Sequence, residues 1–445
     1  MIGQTDPRRL AGSIIERIFR SQSYADILLD NALKEVSFSS LDRAFTSELV
    51  YGVLRWLKRL DWILQQTYDG DWSRVPSIIQ RTLEVGLYQL LFLDKVPDYA
   101  AVDEAVKIAV IEKGVVWGRT VNYILRQILR RPESQKPPVL GKDPVPSLSI
   151  KWSHPEWLVR RWVDTLGIER TESLCEANNV RPKVSIRVNR ILADRRKVQK
   201  VLREEGIETE PSSLLDEYLI AEKVGDLNAS NLFGKGFFSI QDESAGLVGR
   251  LLDPKPGEWI FDLAAAPGGK ATHMAELSMD GAFILAADVH LSRMRKVMEN
   301  VSRLGLRNVF PLVTDGRKMA ARSADKVLVD APCSGLGVIR RRGDLRWRRK
   351  ANDLPKLVSL QKALLEEAGR LIRKGGVLIY STCTVLPEEN EDVVQYFMEK
   401  HKHFIVEDAR RFVDPSVVSE GGFVETWPDR HGIDGSFAVR LKRVK

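Results

Sequence analysis

Three cysteines in 445 residues, with no C-x-x-C pair among them, exclude a disulfide framework and a zinc knuckle. The six histidines are scattered, and His401 with His403 reads as solvated surface rather than as a metal site, so no metal is expected. No apolar run approaches the roughly 18 to 20 residues of a membrane span. The N-terminus also lacks the apolar core of a signal peptide. A soluble, cytosolic and monomeric protein with no membrane partner is the expectation. Two phosphate-binding signatures are missing too. Without G-x-G-x-x-G a dinucleotide pyrophosphate has no cradle, and no glycine loop is followed by Lys-Ser/Thr at Walker A spacing. Charge is not one-sided either. Lys and Arg number 68 against 60 Asp and Glu, a net +8 with a pI near 9.2. A polyanionic partner is compatible with that balance but not demanded by it.

What is present centres on residues 259–270, WIFDLAAAPGGK. Its apolar start reads as a buried strand ending at Asp262, and a helix-like segment follows from Ala271 to Leu277. Between them, Ala264, Ala265, Ala266, Pro267, Gly268 and Gly269 make a turn poor in side chains, where backbone N–H groups at a helix start can approach a ligand. A carboxylate such as that of methionine suits the turn, with Lys270 as counter-charge. The next strand, 282–287, ends in Asp288, eighteen residues beyond Lys270. That is the spacing at which a carboxylate binds ribose hydroxyls in nucleotide-binding α/β folds. Asp315, after the strand 309–313, repeats the pattern and is placed to reach an adenine amino group. Each Asp alone could simply cap a helix; three strand-end carboxylates together point to S-adenosylmethionine, with S-adenosylhomocysteine as product.

The chain around this core is long enough for two or three domains. Residues 1–135 show apolar positions at three- and four-residue intervals through 10–19, 45–56 and 78–93, with further helices at 101–112 and 117–129. Acids and bases are nearly balanced there, so composition marks it only as a helical bundle. Turn formers at 131–138 and 141–146 read as a linker. A helix with an early Pro begins near His154. Short β-like runs such as 184–188 and a charged helix near 195–205 make a small α+β module, 145–232. From about Phe237 strands alternate with helices, which predicts a mostly parallel sheet covered on both faces.

Two cysteines stand out. Cys333 follows the apolar strand 327–329 in DAPCSG, beside Asp330, and Cys383 follows 377–380 in YSTCT. Both sit where open α/β sheets place their ligands. Cys is commonly a buried small hydrophobe, which suits Cys175, but two at corresponding strand ends suit chemistry. C5 of cytosine is a poor nucleophile toward a methyl sulfonium. A thiolate adding at C6 makes C5 enamine-like, and a second thiol can assist product release. A hydrogen-bond donor at N3, for which Asp330 is placed if it holds a proton, would stabilise the adduct.

LAAAPGGK at 263–270, DAPCSG at 330–335 and YSTCT at 380–384 together resemble the NOL/NOP/Sun family of RNA cytosine-C5 methyltransferases. Residues 42–55, 100–106 and 121–126 resemble the NusB-like domain of its bacterial ribosomal RNA members, and HPEW at 154–157, IRVN at 186–189 and QDES at 241–244 continue the likeness over nearly the whole chain. The resemblance implies three parts: an all-α NusB-like RNA-binding bundle at 1–135, the α+β module at 145–232, and an α/β Rossmann-like class I S-adenosylmethionine-dependent domain at 233–445. It implies methylation of C5 of a cytidine in small-subunit ribosomal RNA, with Cys383 as nucleophile and Cys333 in product release. It also implies cofactor contacts at Ala264 through Lys270, Asp288, Arg293, Asp315 and Asp330. Gly343 stands where the family often has Pro. The same chemistry on transfer RNA, or a non-catalytic RNA-binding protein, are the competing readings; the two thiols argue against the latter. RNA contact is expected at the segment 339–350, which holds seven basic residues and one acid. Arg340, Arg341, Arg342 and Arg346 would grip phosphates there, and Trp347 would offer a stacking face. The target base must leave its stack to reach a thiolate.

Overall fold

A computed structural model describes residues 6–445 apart from 22, 140, 223–226 and 322. The chain divides into two compact units. The first takes the residues up to Val180 together with Ile339–Ala351; the second comprises Arg181–Val338 and Asn352–Lys445. The boundary between the two units, after Val180, falls inside the module expected at 145–232.

The first unit is helical. The expected helices form as Pro7–Ser21, Ser40–Thr67, Ser77–Phe92, Asp98–Lys113 and Val115–Arg130. Ser39 starts the longest by accepting a hydrogen bond from the Asp42 N–H. Along it Leu49, Val53, Leu60 and Leu64 recur at helical spacing and are fully buried. They meet Ile14 and Ile18 from the first helix, Leu83 and Leu87 from the third, and Ile124 and Ile128 from the fifth. Helices Ala25–Lys34, Val145–Lys151 and Ile168–Ala177 were not anticipated. They are short, and one begins at the end of the expected Pro-rich linker, where Pro144 and Pro146 start a helix rather than prevent one.

The second unit holds two sheets. The smaller is antiparallel, in the order β2 (Glu210–Pro211), β3 (Tyr218–Ala221), β1 (Val184–Val188), β4 (Phe238–Ile240). The larger contains β5 (Trp259–Asp262), β6 (Phe283–Asp288), β7 (Val309–Val313), β8 (Ala324–Asp330), β9 (Ile372–Thr382), β10 (Phe404–Glu407), β11 (Val424–Thr426) and β12 (Ser436–Arg443). Its order is β10-β12-β9-β8-β5-β6-β7, with β11 also on β12. β9, β8, β5, β6 and β7 are parallel, while β12 runs antiparallel to β9, β10 and β11. The sheet is mostly parallel as expected, with a mixed end where β12 inserts between β9 and β10 antiparallel to both. Val327, Leu328 and Val329 are completely buried, as a central parallel strand requires. β7 is the edge, which accommodates Pro311. From β5 the order runs outward through β6 to one side and through β8 to the other. Their carboxyl ends form the switch point where open α/β sheets bind ligands.

Candidate active site

The turn after β5 has the form expected of it. Ala265 N–H bonds to the Ala287 carbonyl of the neighbouring strand at 2.8 Å, and Gly268 N–H closes onto the Ala265 carbonyl at 2.7 Å. Gly268 caps the helix Gly269–Leu277 with φ +99°, a backbone conformation that side chains resist. Its Cα lies against Val297, so an added Cβ would approach that side chain at 3.1 Å.

Around the turn, charged groups are paired among themselves. Lys270 Nζ donates to Asp330 Oδ2 at 2.8 Å, and Ser381 Oγ donates to Asp330 Oδ1 at 3.0 Å. Burial alone would lower the Lys270 pKa, but the Asp330 carboxylate outweighs it and the net shift is upward. Lys270 was expected as counter-charge for a methionine carboxylate; its ammonium is instead engaged by Asp330. Asp330 was expected as a donor to cytosine N3, yet both of its oxygens are acceptors. Asp288 is buried, accepts from His290 N–H at 2.9 Å and faces Arg293 Nη1 at 3.2 Å. Arg293 also donates to the Ala266 carbonyl at 2.5 Å, so it braces the turn against Asp288. Asp315 is gripped by Arg317 through Nε at 2.9 Å and Nη2 at 2.6 Å, and this bonding holds its carboxyl down at about 2.

Asp262 fits a bound cofactor. It is fully buried, its Oδ2 has no hydrogen-bond partner among the described residues, and burial, then the nearby Asp330, push its pKa up to about 8. An orphaned buried carboxyl at the end of β5, beside a helix N-terminus and the Asp288 carboxylate, is a donor set suited to an amino acid joined to a nucleoside.

The two cysteines come together. β8 and β9 are adjacent and parallel, and the Cys333 and Cys383 sulfurs lie 3.2 Å apart. That is hydrogen-bonding distance for sulfur, well beyond a disulfide bond of about 2.05 Å. The Cys333 thiol is pushed well above its ordinary value, first by its hydrogen bond to Cys383 and then by burial. Backbone bonds stitch the two loops: Ala331 N–H to the Ser381 carbonyl at 2.8 Å and Gly337 N–H to the Cys383 carbonyl at 3.0 Å.

Two groups that hold these loops were missed. Glu389, fully buried, accepts from Ser334 N–H at 2.8 Å, Ser334 Oγ at 2.5 Å and Gln361 Nε2 at 2.9 Å. Asn390 accepts from Thr382 Oγ1 and donates to the Thr384 carbonyl. Both precede the helix Glu391–Lys400, where acids are ordinary first-turn residues, so nothing in their pattern signalled burial. Arg187, quoted only as part of IRVN, is completely buried. It donates to both Glu276 oxygens at 2.8 and 2.9 Å, to Thr272 Oγ1 at 3.0 Å, to Gln241 Oε1 at 2.5 Å and to the Gly269 carbonyl at 2.6 Å. It is a positioning residue for the start of the cofactor-turn helix.

The basic segment departs from expectation. Ile339–Ala351 belongs to the helical unit, and its cations are largely used there. Arg346 is fully buried and donates to the carbonyls of Arg55 (2.8 Å), Ser153 (2.9 Å) and Asn178 (3.2 Å), and to Asn179 Oδ1 (3.0 Å). Burial pulls its guanidinium down to about 9. Trp347 Nε1 donates to the Leu54 carbonyl at 2.6 Å while its ring packs on the helical core. Arg340 is buried and Arg341 half-buried; Arg342 is exposed near Asp26 and Tyr24. Arg346, Trp347 and Arg340 are thus corrected from RNA contacts to packing elements. The run was expected to grip RNA, but Arg346 and Trp347 spend their donors on carbonyls of the helical unit.

Comparison with known proteins agrees over the whole length. Residues 249–442 match the model of 16S rRNA methyltransferase RsmB/F, 5–130 the NusB family, and 154–228 the RsmF/B-like ferredoxin-like domain. A probable ribosomal RNA small subunit methyltransferase B of Bacillus subtilis is 36% identical, covering 99% of both chains. Its Synechocystis counterpart is 37% identical over 98% of this chain and 99% of its own. Among solved structures, PH0851 superposes with a TM-score of 0.82 at 29% identity over 99% of both chains. NSun6 from Pyrococcus horikoshii, solved with SFG, an S-adenosylmethionine analogue, gives 0.60 at 26% identity over 65% of this chain and 98% of its own. With its NusB bundle, its ferredoxin-like sheet and its S-adenosylmethionine-dependent methyltransferase fold, the chain belongs to the RsmB/F family of 16S rRNA methyltransferases.

Proposed function

We propose that this protein methylates C5 of a cytidine in small-subunit ribosomal RNA, with Cys383 as nucleophile and Cys333 as its proton-handling partner. The observation that carries the reading is the 3.2 Å approach of the two sulfurs at the ends of adjacent strands. S-Adenosylmethionine, when bound, supplies an electrophilic methyl group. The turn Ala264–Gly269 and Asp288 would hold it, with Asp262 receiving its ammonium and Asp315 lying one strand further out.

The chain's own residues then divide the chemistry. Cys333 keeps the proton the pair shares, which leaves Cys383 as thiolate, within electrostatic reach of the Lys270 ammonium. The Cys383 sulfur bonds to C6 of cytosine and the ring electron pair becomes available at C5. Asp330 uses its oxygens as acceptors, so it suits the exocyclic amino group at N4, which uracil lacks. Once C5 carries the methyl group, Cys383 is a thioether and no longer raises the Cys333 pKa. Cys333 can release its proton to solvent and accept the one leaving C5. The C5–C6 double bond re-forms as the C6–S bond breaks, returning the thiolate.

Cys383→Ala should abolish methylation, read by bisulfite sequencing of 16S rRNA, while cofactor affinity stays within a few fold. Cys333→Ala should accumulate a protein–RNA species that survives denaturing electrophoresis. Normal turnover by Cys383→Ala, with the covalent species absent from Cys333→Ala, would sink the proposal.

A further inference from the structure

With much of the 339–350 segment engaged in packing, the second unit offers a different basic surface. Beside the small sheet lies a cleft of about 860 Å³, lined by Val188 at the end of β1, by Arg190, and by the start of the helix Arg195–Glu204. Its cations are Arg190, Arg195, Arg196, Lys197 and Lys200. Among the described residues the side chains of Arg190, Arg195, Arg196 and Lys200 make no hydrogen bond or ion pair, while Lys197 stands 6.0 Å from the Phe237 ring. Three carboxylates also line the cleft, and two are already engaged. Asp194 caps the helix through Lys197 N–H at 2.9 Å, and Glu217 pairs with Arg250 and His273. Among the described residues lining the cleft, Asp216 is the remaining local counter-charge.

Arg190 also borders a second cleft of about 340 Å³, which adds Arg250 and Lys255 and ends at Leu277 and Ser278, the far end of the cofactor-turn helix. Two clefts sharing one arginine make a trough, a shape that suits a chain of phosphates better than a compact anion. In the second cleft Arg250 pairs with Glu217 and Lys255 with Asp253, so it is Arg190, Arg195, Arg196 and Lys200 that hold local potential positive even though the whole chain carries only +8.

We propose that this trough, from Lys200 through Arg190 to Lys255, binds the sugar-phosphate backbone of the RNA substrate at a site remote from the target cytidine. The inference rests on the reading that the protein acts on RNA, and it assigns a backbone grip at the carboxyl end of the Gly269–Leu277 helix. The two thiols lie beyond the carboxyl ends of β8 and β9, by the amino end of that helix. The trough therefore governs affinity for long RNA rather than the chemical step.

The test uses the full chain with Arg190, Arg195, Arg196 and Lys200 all changed to Gln, titrated with a 16S rRNA fragment across a salt series. At about 0.7 to 0.9 counter-ions per phosphate contact, loss of four contacts should lower the slope of log K against log salt by about 3 to 4. Affinity at low salt should drop at least tenfold, with cofactor affinity and melting temperature unchanged because the four side chains are at the surface. Asp216→Lys should steepen the slope. An unchanged slope in the folded quadruple variant would overturn the trough while leaving the methyltransferase reading intact. Failure of the parent protein to methylate or bind rRNA would overturn that reading itself.

Discussion

Among the described residues two arginines have no exposed surface, one in each unit, and they are held in opposite ways. Arg187 in the catalytic unit meets a carboxylate, Glu276, with bidentate geometry, and spends its remaining donors on the Gly269 carbonyl, Thr272 and Gln241. Arg346 in the helical unit meets no carboxylate; backbone carbonyls and Asn179 satisfy it. The first is an ion pair set beside a ligand-binding turn. The second is a staple that ties the middle of the Ser40–Thr67 helix to the carbonyls of Ser153 and Asn178, which follow the Val145–Lys151 and Ile168–Ala177 helices. Burial of a cation therefore says little about its task until its acceptors are known. A charged partner ties Arg187 to electrostatics near the site, and neutral acceptors tie Arg346 to architecture.

The largest effect that would break this contrast is expected at Arg187. Arg187→Ala leaves Glu276 as an uncompensated buried carboxyl and should cost about 3 to 5 kcal/mol of stability in denaturant titration. Arg187→Met with Glu276→Leu should restore much of that stability. Cofactor affinity should stay about tenfold weaker with kcat little changed, because Gly269 still lacks its brace. Full recovery of affinity in the double variant would reduce Arg187 to a packing group. Arg346→Ala comes next, at about 2 to 4 kcal/mol, since several buried acceptors lose their donor. There the first unit should melt earlier while cofactor binding in the second stays as it was. A matching loss of cofactor affinity would erase the distinction.

The smallest effect concerns a buried acid. Asp262 sits near 8 in the folded protein against 3.8 in the unfolded chain, so the folded state holds a proton that the unfolded state has already released between those values. That contribution is complete below about pH 4 and is lost as pH rises through 8, at no more than about 1.4 kcal/mol per pH unit. Asp262→Asn should flatten the corresponding part of a stability-against-pH curve. S-Adenosylmethionine should do the same in the parent protein, because a cationic group beside Asp262 removes the reason to hold the proton. An identical slope in parent and variant would show that Asp262 titrates normally.

The fold was largely legible because its signals are local. Apolar spacing located five of the helices between Pro7 and Arg130 but not Ala25–Lys34, and strand–turn–helix patterns located β5 through β9. The antiparallel end of the large sheet was not, since pairing of β12 with β9 and β10 joins segments whose local pattern is the same in either direction. At the site, Cys333, Cys383, Asp330 and Lys270 were legible from their places at strand ends. Glu389, Asn390 and Arg187 were not, because a Glu before a helix and an Arg in a short strand are ordinary surface residues by pattern. The basic run failed for the complementary reason: seven cations in twelve residues look solvated, and only packing shows how many carbonyls they meet.

Read without coordinates, the chain determined which segments become strands and helices, and it determined that two thiols, a small-residue turn and a row of acids stand at strand ends. Those follow from periodicity and from residue chemistry acting over a few positions. Tertiary structure alone decided which charges neutralise one another, how close the two sulfurs come, and which basic residues are spent in packing. Each of these depends on groups distant along the chain, and on whether burial removes the water that would otherwise serve them.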